Sequence, residues 1–149
     1  MKKFFYCLMI AVLSIGFTAC QDDDQPYEMI SYSSLPANAQ SFVMTYFGGM
    51  EVSEVQSDGD DYVVFFDNGI EIVFDDDGSW EDVTATYGNT IPTTFLPLAI
   101  INYVNYNYPS ALGINGVSYD EGDMEYTVQL TSGTIIYFDQ FGDVIGTGW

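Results

Sequence analysis

After residue 20 this 149-residue chain contains no lysine, no arginine and no histidine; its only basic side chains are Lys2 and Lys3. That absence removes the usual base for a serine or threonine nucleophile and the lysine of a phosphate-cradling loop. It removes the cations that would neutralise nucleic-acid phosphates, and anionic lipid headgroups are repelled. Histidine-bearing zinc or iron sites are excluded as well. Cysteine is almost as scarce, with Cys7 and Cys20 alone. The longest apolar run, from Phe4 to Ile15, falls short of the roughly 18–20 residues that span hydrocarbon.

What is present gives that short run a meaning. It is opened by Lys2-Lys3 and closed by Phe17-Thr18-Ala19-Cys20, the layout of a lipoprotein-type signal, with Phe17 where leucine is usual. Residues 1–19 are expected to be removed and Cys20 to be lipidated. Residues 20–33, starting Gln21-Asp22-Asp23-Asp24, then form an acidic tether. Cys7 leaves with the signal, so no disulfide is expected. The processed chain keeps all 22 acidic residues and no basic one. Such a chain attracts a basic protein partner or divalent cations. The expected address is the cell envelope, as an outer-membrane lipoprotein either displayed at the surface or facing the periplasm. Its only membrane contact would be the anchor at Cys20. Hydrophobic content of 48%, with 17% aromatic residues, suffices for a folded core despite the charge.

Self-similarity organises the remainder. Leu35-Pro36 is followed by Ala39, Phe42, Val43, Tyr46 and Phe47; Leu96-Pro97 is followed by Ile100, Tyr103, Val104 and Tyr108. Both spacings predict an amphipathic helix with proline in its first turn. Ser33 or Ser34 is expected to cap the first helix and Gly48-Gly49 to end it; Pro109 ends the second. Downstream, Tyr62–Phe66 aligns with Tyr126–Leu130, Ile72–Asp75 with Ile136–Asp139, and Gly69 and Gly78 with Gly133 and Gly142. Asp67-Asn68-Gly69 and Thr131-Ser132-Gly133 read as hairpin turns. The expected fold is α+β: two tandem helix-plus-four-strand repeats, 34–89 and 90–149. They form one antiparallel sheet of about eight strands with two helices on one face.

With its Leu-Pro helix entries, the strand pairs Tyr62–Phe66/Ile70–Phe74 and Met124–Leu130/Thr134–Phe138, and Asp75/Asp139 with Gly78/Gly142, the chain resembles a known family. This is the PepSY-like, β-lactamase-inhibitor-like periplasmic family, and the resemblance covers about residues 34–147. It implies a secreted, non-enzymatic module of helix-plus-sheet repeats. The namesake inhibitors grip an enzyme with the open face of the sheet, and no motif here carries their contact residues over. Members of the family usually carry many lysines, which this chain lacks.

No catalytic residue and no cofactor is expected. A carboxylate-pair hydrolase would need a deep cleft between its two acids, and a thin sheet rarely offers one. Asp58, Asp60 and Asp61 precede one strand, and Asp75, Asp76 and Asp77 follow the next, so six carboxylates can meet at one end of the sheet. Calcium suits such oxygen-only surroundings. Against it, an EF-hand frame anchored on Gly78 puts Val73 first and Thr84 twelfth, and Asp is in any case a common turn residue. Alternation turns Tyr62, Val64 and Phe66 towards the helices, leaving Val63, Phe65, Val73, Ile135 and Tyr137 on the other face as the expected partner-binding surface. A shift in strand phase, or cover by Gly146–Trp149, would remove that surface. Tyr103, Tyr106 and Tyr108 with Asn102, Asn105 and Asn107 admit a glycan-stacking reading or simple packing, and Trp80 and Trp149 are open in the same way. The leading expectation is a lipid-anchored binding or inhibitor-like module that engages a basic protein through the sheet face and an acidic rim. The alternative is a calcium- or glycan-binding envelope lipoprotein.

Overall fold

The computed structural model describes residues 26–109 and 113–148, so the signal segment, Cys20, the Asp22–Asp24 run and Trp149 lie outside the described residues. The chain enters at β1 (Glu28–Met29), makes a 3-10 turn at Tyr32–Ser34, and forms helix α1 (Ala37–Phe47). Strands β2 (Val52–Ser57), β3 (Tyr62–Phe66), β4 (Ile70–Phe74) and β5 (Trp80–Ala85) follow. Helix α2 (Leu98–Asn107) then leads into β6 (Ile114–Asp120), β7 (Glu125–Leu130), β8 (Ile135–Asp139) and β9 (Val144–Gly148). All nine strands form one antiparallel sheet in sequence order. None of the described helices is long and apolar enough to cross a membrane.

The α+β class and the single antiparallel sheet therefore hold, with nine strands rather than about eight. The additional strand, β1, lies in the segment expected to be a free tether. Glu28 and Met29 pair with Ser57 and Gln56, and the Ile30 amide donates to the Val55 carbonyl. The order of one helix then four strands occurs twice, at α1–β5 and α2–β9.

Alternation explains the layering. Val64, Ile72, Val83, Val117, Val128 and Ile136 stand opposite one another in one row across six strands, and all are buried. Helix α1 lays Ala39, Val43 and Phe47 on this face, the spacing of a single helical stripe. Phe42 meets Phe74 edge-on at 5.7 Å, and Phe47 stacks on Phe66 at 5.5 Å. Helix α2 adds Ile100 and Val104, and its Tyr103 meets Phe138 at 5.5 Å. Both helices thus cover the same side of the sheet. Trp80 belongs to the same core margin, between Phe42 and Phe95.

The helix entries differ from expectation. Pro36 and Pro97 occupy the capping positions themselves, with no side-chain cap. Ser33 and Ser34 instead share hydroxyl hydrogen bonds with Ser31 in the 3-10 turn. Proline suits a helix entry because its missing N–H would have gone unpaired there. Each entry is also seated on a turn. A Cβ on Gly78 would lie 2.8 Å from Pro36 Cβ and 2.9 Å from the Ala39 amide nitrogen; one on Gly142 would lie 2.8 Å from Ala99 Cβ. Both glycines have φ of 86°, which only glycine adopts freely.

Candidate functional site

The face of the sheet opposite the helices is covered by no described helix. One row across it runs Gln56, Val63, Val73, Asp82, Ser118, Thr127, Tyr137 and Gly146. The next row runs Glu54, Phe65, Glu71, Thr84, Gly116, Gln129, Ile135 and Gly148. All five residues expected on this face are therefore on it. They fall into two groups rather than one patch. Val63, Phe65 and Val73 lie on β3 and β4; Ile135 and Tyr137 lie on β8. Four strand spacings, about 19 Å, separate β4 from β8. Val63 is only 6% exposed and offers little area for contact, whereas Tyr137 is 37% exposed.

Between the two apolar groups the face is polar: Asp82, Thr84, Ser118, Thr127 and Gln129. At its centre Asp82 stands opposite Val73, one diagonal step from Glu71. Burial pushes the Asp82 carboxyl up to about 6. The Glu71 carboxyl is also raised, by burial first and by the charge of Asp82 second. No lysine, arginine or histidine exists among the described residues to neutralise either acid. The acids were expected at the rim; the structure puts a pair of them in the middle. Nearer the β1 edge, burial, followed by the charges of Asp58, Asp61 and Glu71, raises the Tyr27 hydroxyl pKa.

Why alternation alone misses Asp82 is visible in the register. Phe74 pairs with Trp80 while Val73 pairs with Asp82, so Glu81 is an extra residue in a β-bulge. Trp80 consequently faces the helices and Asp82, two residues on, faces away. The bulge has a counterpart at Ile145, where Phe138 pairs with Val144 and Tyr137 with Gly146. A second pair of bulges falls at Ser53 and Asn115. Met124 shows the same limit of pattern reading. Expected at the start of the strand Met124–Leu130, it has φ of 55° in the β6–β7 turn and is exposed.

The acidic turns are organised by their own amides. Asp58 Oδ1 accepts from the Asp60 and Asp61 amides at 3.1 and 2.8 Å. Asp75 Oδ1 accepts from Asp77 and Ser79 at 3.1 and 2.9 Å, and Asp139 Oδ1 from Phe141 and Asp143 at 2.9 Å each. The two acidic turns do lie at one end of the sheet, since Tyr62 pairs with Phe74, but among the described residues no three carboxylates gather into a metal-binding group. The Tyr/Asn helix is likewise no platform: Tyr103 packs on Phe138 and Tyr108, the Asn107 side chain donates to the Tyr103 carbonyl, and Tyr106 stands exposed alone.

Known proteins place the chain. The profile of the family described as "Putative beta-lactamase-inhibitor-like, PepSY-like" matches residues 24–72 and 60–146. Among solved structures, a "putative calcium-regulated periplasmic protein" from Bacteroides thetaiotaomicron is similar at 29% identity and a TM-score of 0.75, covering 83% of this chain and 97% of its own. A "putative periplasmic protein from DUF2874 family" of Bacteroides vulgatus is 32% identical with a TM-score of 0.73, covering 87% of this chain and 100% of its own. A further Bacteroides vulgatus protein, of unknown function, shares the fold at 23% identity and a TM-score of 0.71. No curated protein matches significantly. With the profile spanning most of the described residues and the sheet shared with these periplasmic relatives, the chain belongs to the PepSY-like, β-lactamase-inhibitor-like family.

Proposed function

We propose that this protein is a non-enzymatic, lipid-anchored module of the cell envelope, built from two copies of one helix-plus-four-strand unit, that captures a basic protein partner on its open sheet face. The observation that carries this reading is the central pair Glu71 and Asp82, buried enough to be perturbed and with no basic residue among the described ones to pair with. A partner that presents a lysine or arginine there supplies the missing counter-charge. Val63, Phe65 and Val73 on one side, and Ile135 and Tyr137 on the other, supply apolar contact. Long-range attraction from the uniformly acidic surface speeds encounter. Two shallow hollows on the helix side offer no carboxylate pair for a hydrolytic role. One, of about 300 Å³, lies at the C-terminal end of α1 beside Met44 and Phe47 and contains no carboxylate. The other, about 230 Å³ beside Ile101 and Asn105, contains none either.

Crosslinking capture from the native envelope tests the surface. Asp82→Asn, Phe65→Asp and Tyr137→Asp should each leave the melting transition cooperative and reduce capture about tenfold or more. Undiminished capture by all three overturns the reading. A calcium-handling role is the second reading, favoured by the description of the Bacteroides thetaiotaomicron relative. The commitment of Asp58, Asp75 and Asp139 to turn amides weighs against it.

A further inference from the structure

The two ends of the sheet are finished differently. At one end β1 is two residues long, is preceded by Pro26 and contains Glu28, features that blunt an edge. At the other end β9 runs five residues, Val-Ile-Gly-Thr-Gly, with no proline and no charge. Among the described strands it pairs with β8 alone. Its outward backbone groups form an open template for another strand.

The molecule itself shows what such an edge accepts. β5 holds the corresponding position after α1. Each follows an Asp-x-x-Gly turn, at Asp75–Gly78 and Asp139–Gly142, and each carries its bulge one residue after the strand's first, at Glu81 and Ile145. Asp82, Val83 and Thr84 pair on one side with Val73, Ile72 and Glu71; Gly146, Thr147 and Gly148 pair in the same way with Tyr137, Ile136 and Ile135. On its other side β5 is covered by β6, antiparallel, with Asp82, Val83 and Thr84 opposite Ser118, Val117 and Gly116. Among the described residues the matching side of β9 has no such cover.

We infer that the free edge of β9 is a strand-addition site, taking an extended segment of a different protein in the antiparallel register that β6 adopts on β5. Backbone pairing supplies the affinity, and side chains at alternate positions supply the choice of partner. On the outer face the Tyr137 ring lies over the two edge glycines, 3.5 Å from where a Cβ of Gly146 would stand and 3.7 Å from one on Gly148. An incoming apolar side chain at that level packs against the ring. At the start of β9 the exposed Asp143 faces the C-terminal end of an antiparallel arrival, so a lysine or arginine there completes the match. A second copy of this chain fits poorly. It carries the same excess of acid, and a head-to-tail union through its β2 is closed by β1 at Gln56 and Ser57.

A peptide with the β6 sequence Ile114–Asp120, its last residue changed by Asp120→Lys, is the probe. Hydrogen exchange on the purified full chain should show protection of β9 amides that saturates at submillimolar to millimolar peptide, with α1 and β1 unaffected. A peptide carrying Asp120→Glu instead should bind about tenfold more weakly, and that gap should close as salt rises. Ile145→Lys, an edge charge of the kind that blocks pairing, should abolish the protection while leaving the melting temperature within a few degrees. Asp82→Asn should leave peptide binding unchanged, which separates this edge from the sheet-face reading. Absence of β9 protection at millimolar peptide overturns the inference. So does protection that depends on protein concentration without peptide, because the occupant would then be a second copy. Equal affinity of the two peptides overturns the requirement for a basic partner.

Discussion

At Asp82 two circumstances meet: a bulge turns the residue onto the open face, and no cation exists among the described residues to receive it. The folded-state pKa, about 6, exceeds the ordinary 3.8 because burial disfavours the charged form. Between those values the native state holds more proton than the unfolded chain, so stability falls as pH rises from about 4 to about 6 and stays reduced above. Two pH units correspond to about 3 kcal/mol, and residual solvent contact at a surface site brings this nearer to about 2 kcal/mol. Asp82→Asn should therefore raise the urea midpoint clearly at pH 8 and hardly at all at pH 4. An equal effect at both values would mean that the carboxylate is well solvated in the fold. The same titration bears on capture. A lysine or arginine placed against the pair draws the Asp82 proton off, so binding strengthens as pH climbs through 6.

Among the elements, the Asp-x-x-Gly turns act as seats for the helices. Asp75 and Asp139 each gather two amides of their own turn, and the Asn38 side chain donates to the Asp77 carbonyl across the junction with α1. Gly78→Ala and Gly142→Ala should each cost at least about 2 kcal/mol, from a left-handed φ together with a collision against the helix entry. Gly88 has φ of 87° with nothing within 4 Å, so Gly88→Ala should cost only the backbone part, about 1 kcal/mol. Chemical denaturation of the three variants compares them directly, and equal losses would show that seating contributes nothing.

The same elements show how far the residues alone could be read. Strands β3 and β4 lie where alternation and the Asn68-Gly69 turn put them, because each buries one face against a helix and leaves the other free. β1 escaped notice because two residues have no period; only its pairing with β2 makes it a strand. The sheet-face residues Val63, Phe65, Val73, Ile135 and Tyr137 were legible one by one, but not their division into two groups, which depends on three intervening strands. Glu71 and Asp82 were not legible as a pair. Bulges reset the phase of a strand, and nothing in Trp80-Glu81-Asp82 announces one.

For the whole molecule, the excess of acidic over basic side chains, 22 against 2, makes salt act in two opposed ways. Raising sodium chloride from about 10 mM to about 0.5 M shortens the screening length from about 30 Å to a few ångströms. Self-repulsion between carboxylates then fades, and the melting temperature should rise. Calcium chloride at matched ionic strength should raise it by the same amount; a further increase specific to calcium would favour the calcium-handling reading. Screening also removes the long-range pull on a basic partner, so the conditions that stabilise the fold most should slow its association most.

The order of the strands has a consequence for assembly. Because every strand lies beside its neighbour in sequence, the growing sheet never has to wait for a distant segment, and no strand has to be threaded between two already in place. The chain can zip shut from its N-terminal end, strand by strand, with loop closure short at each step except across α1 and α2. On that route β9 is the last of the described strands to join, and its outer edge is the growing end of the sheet.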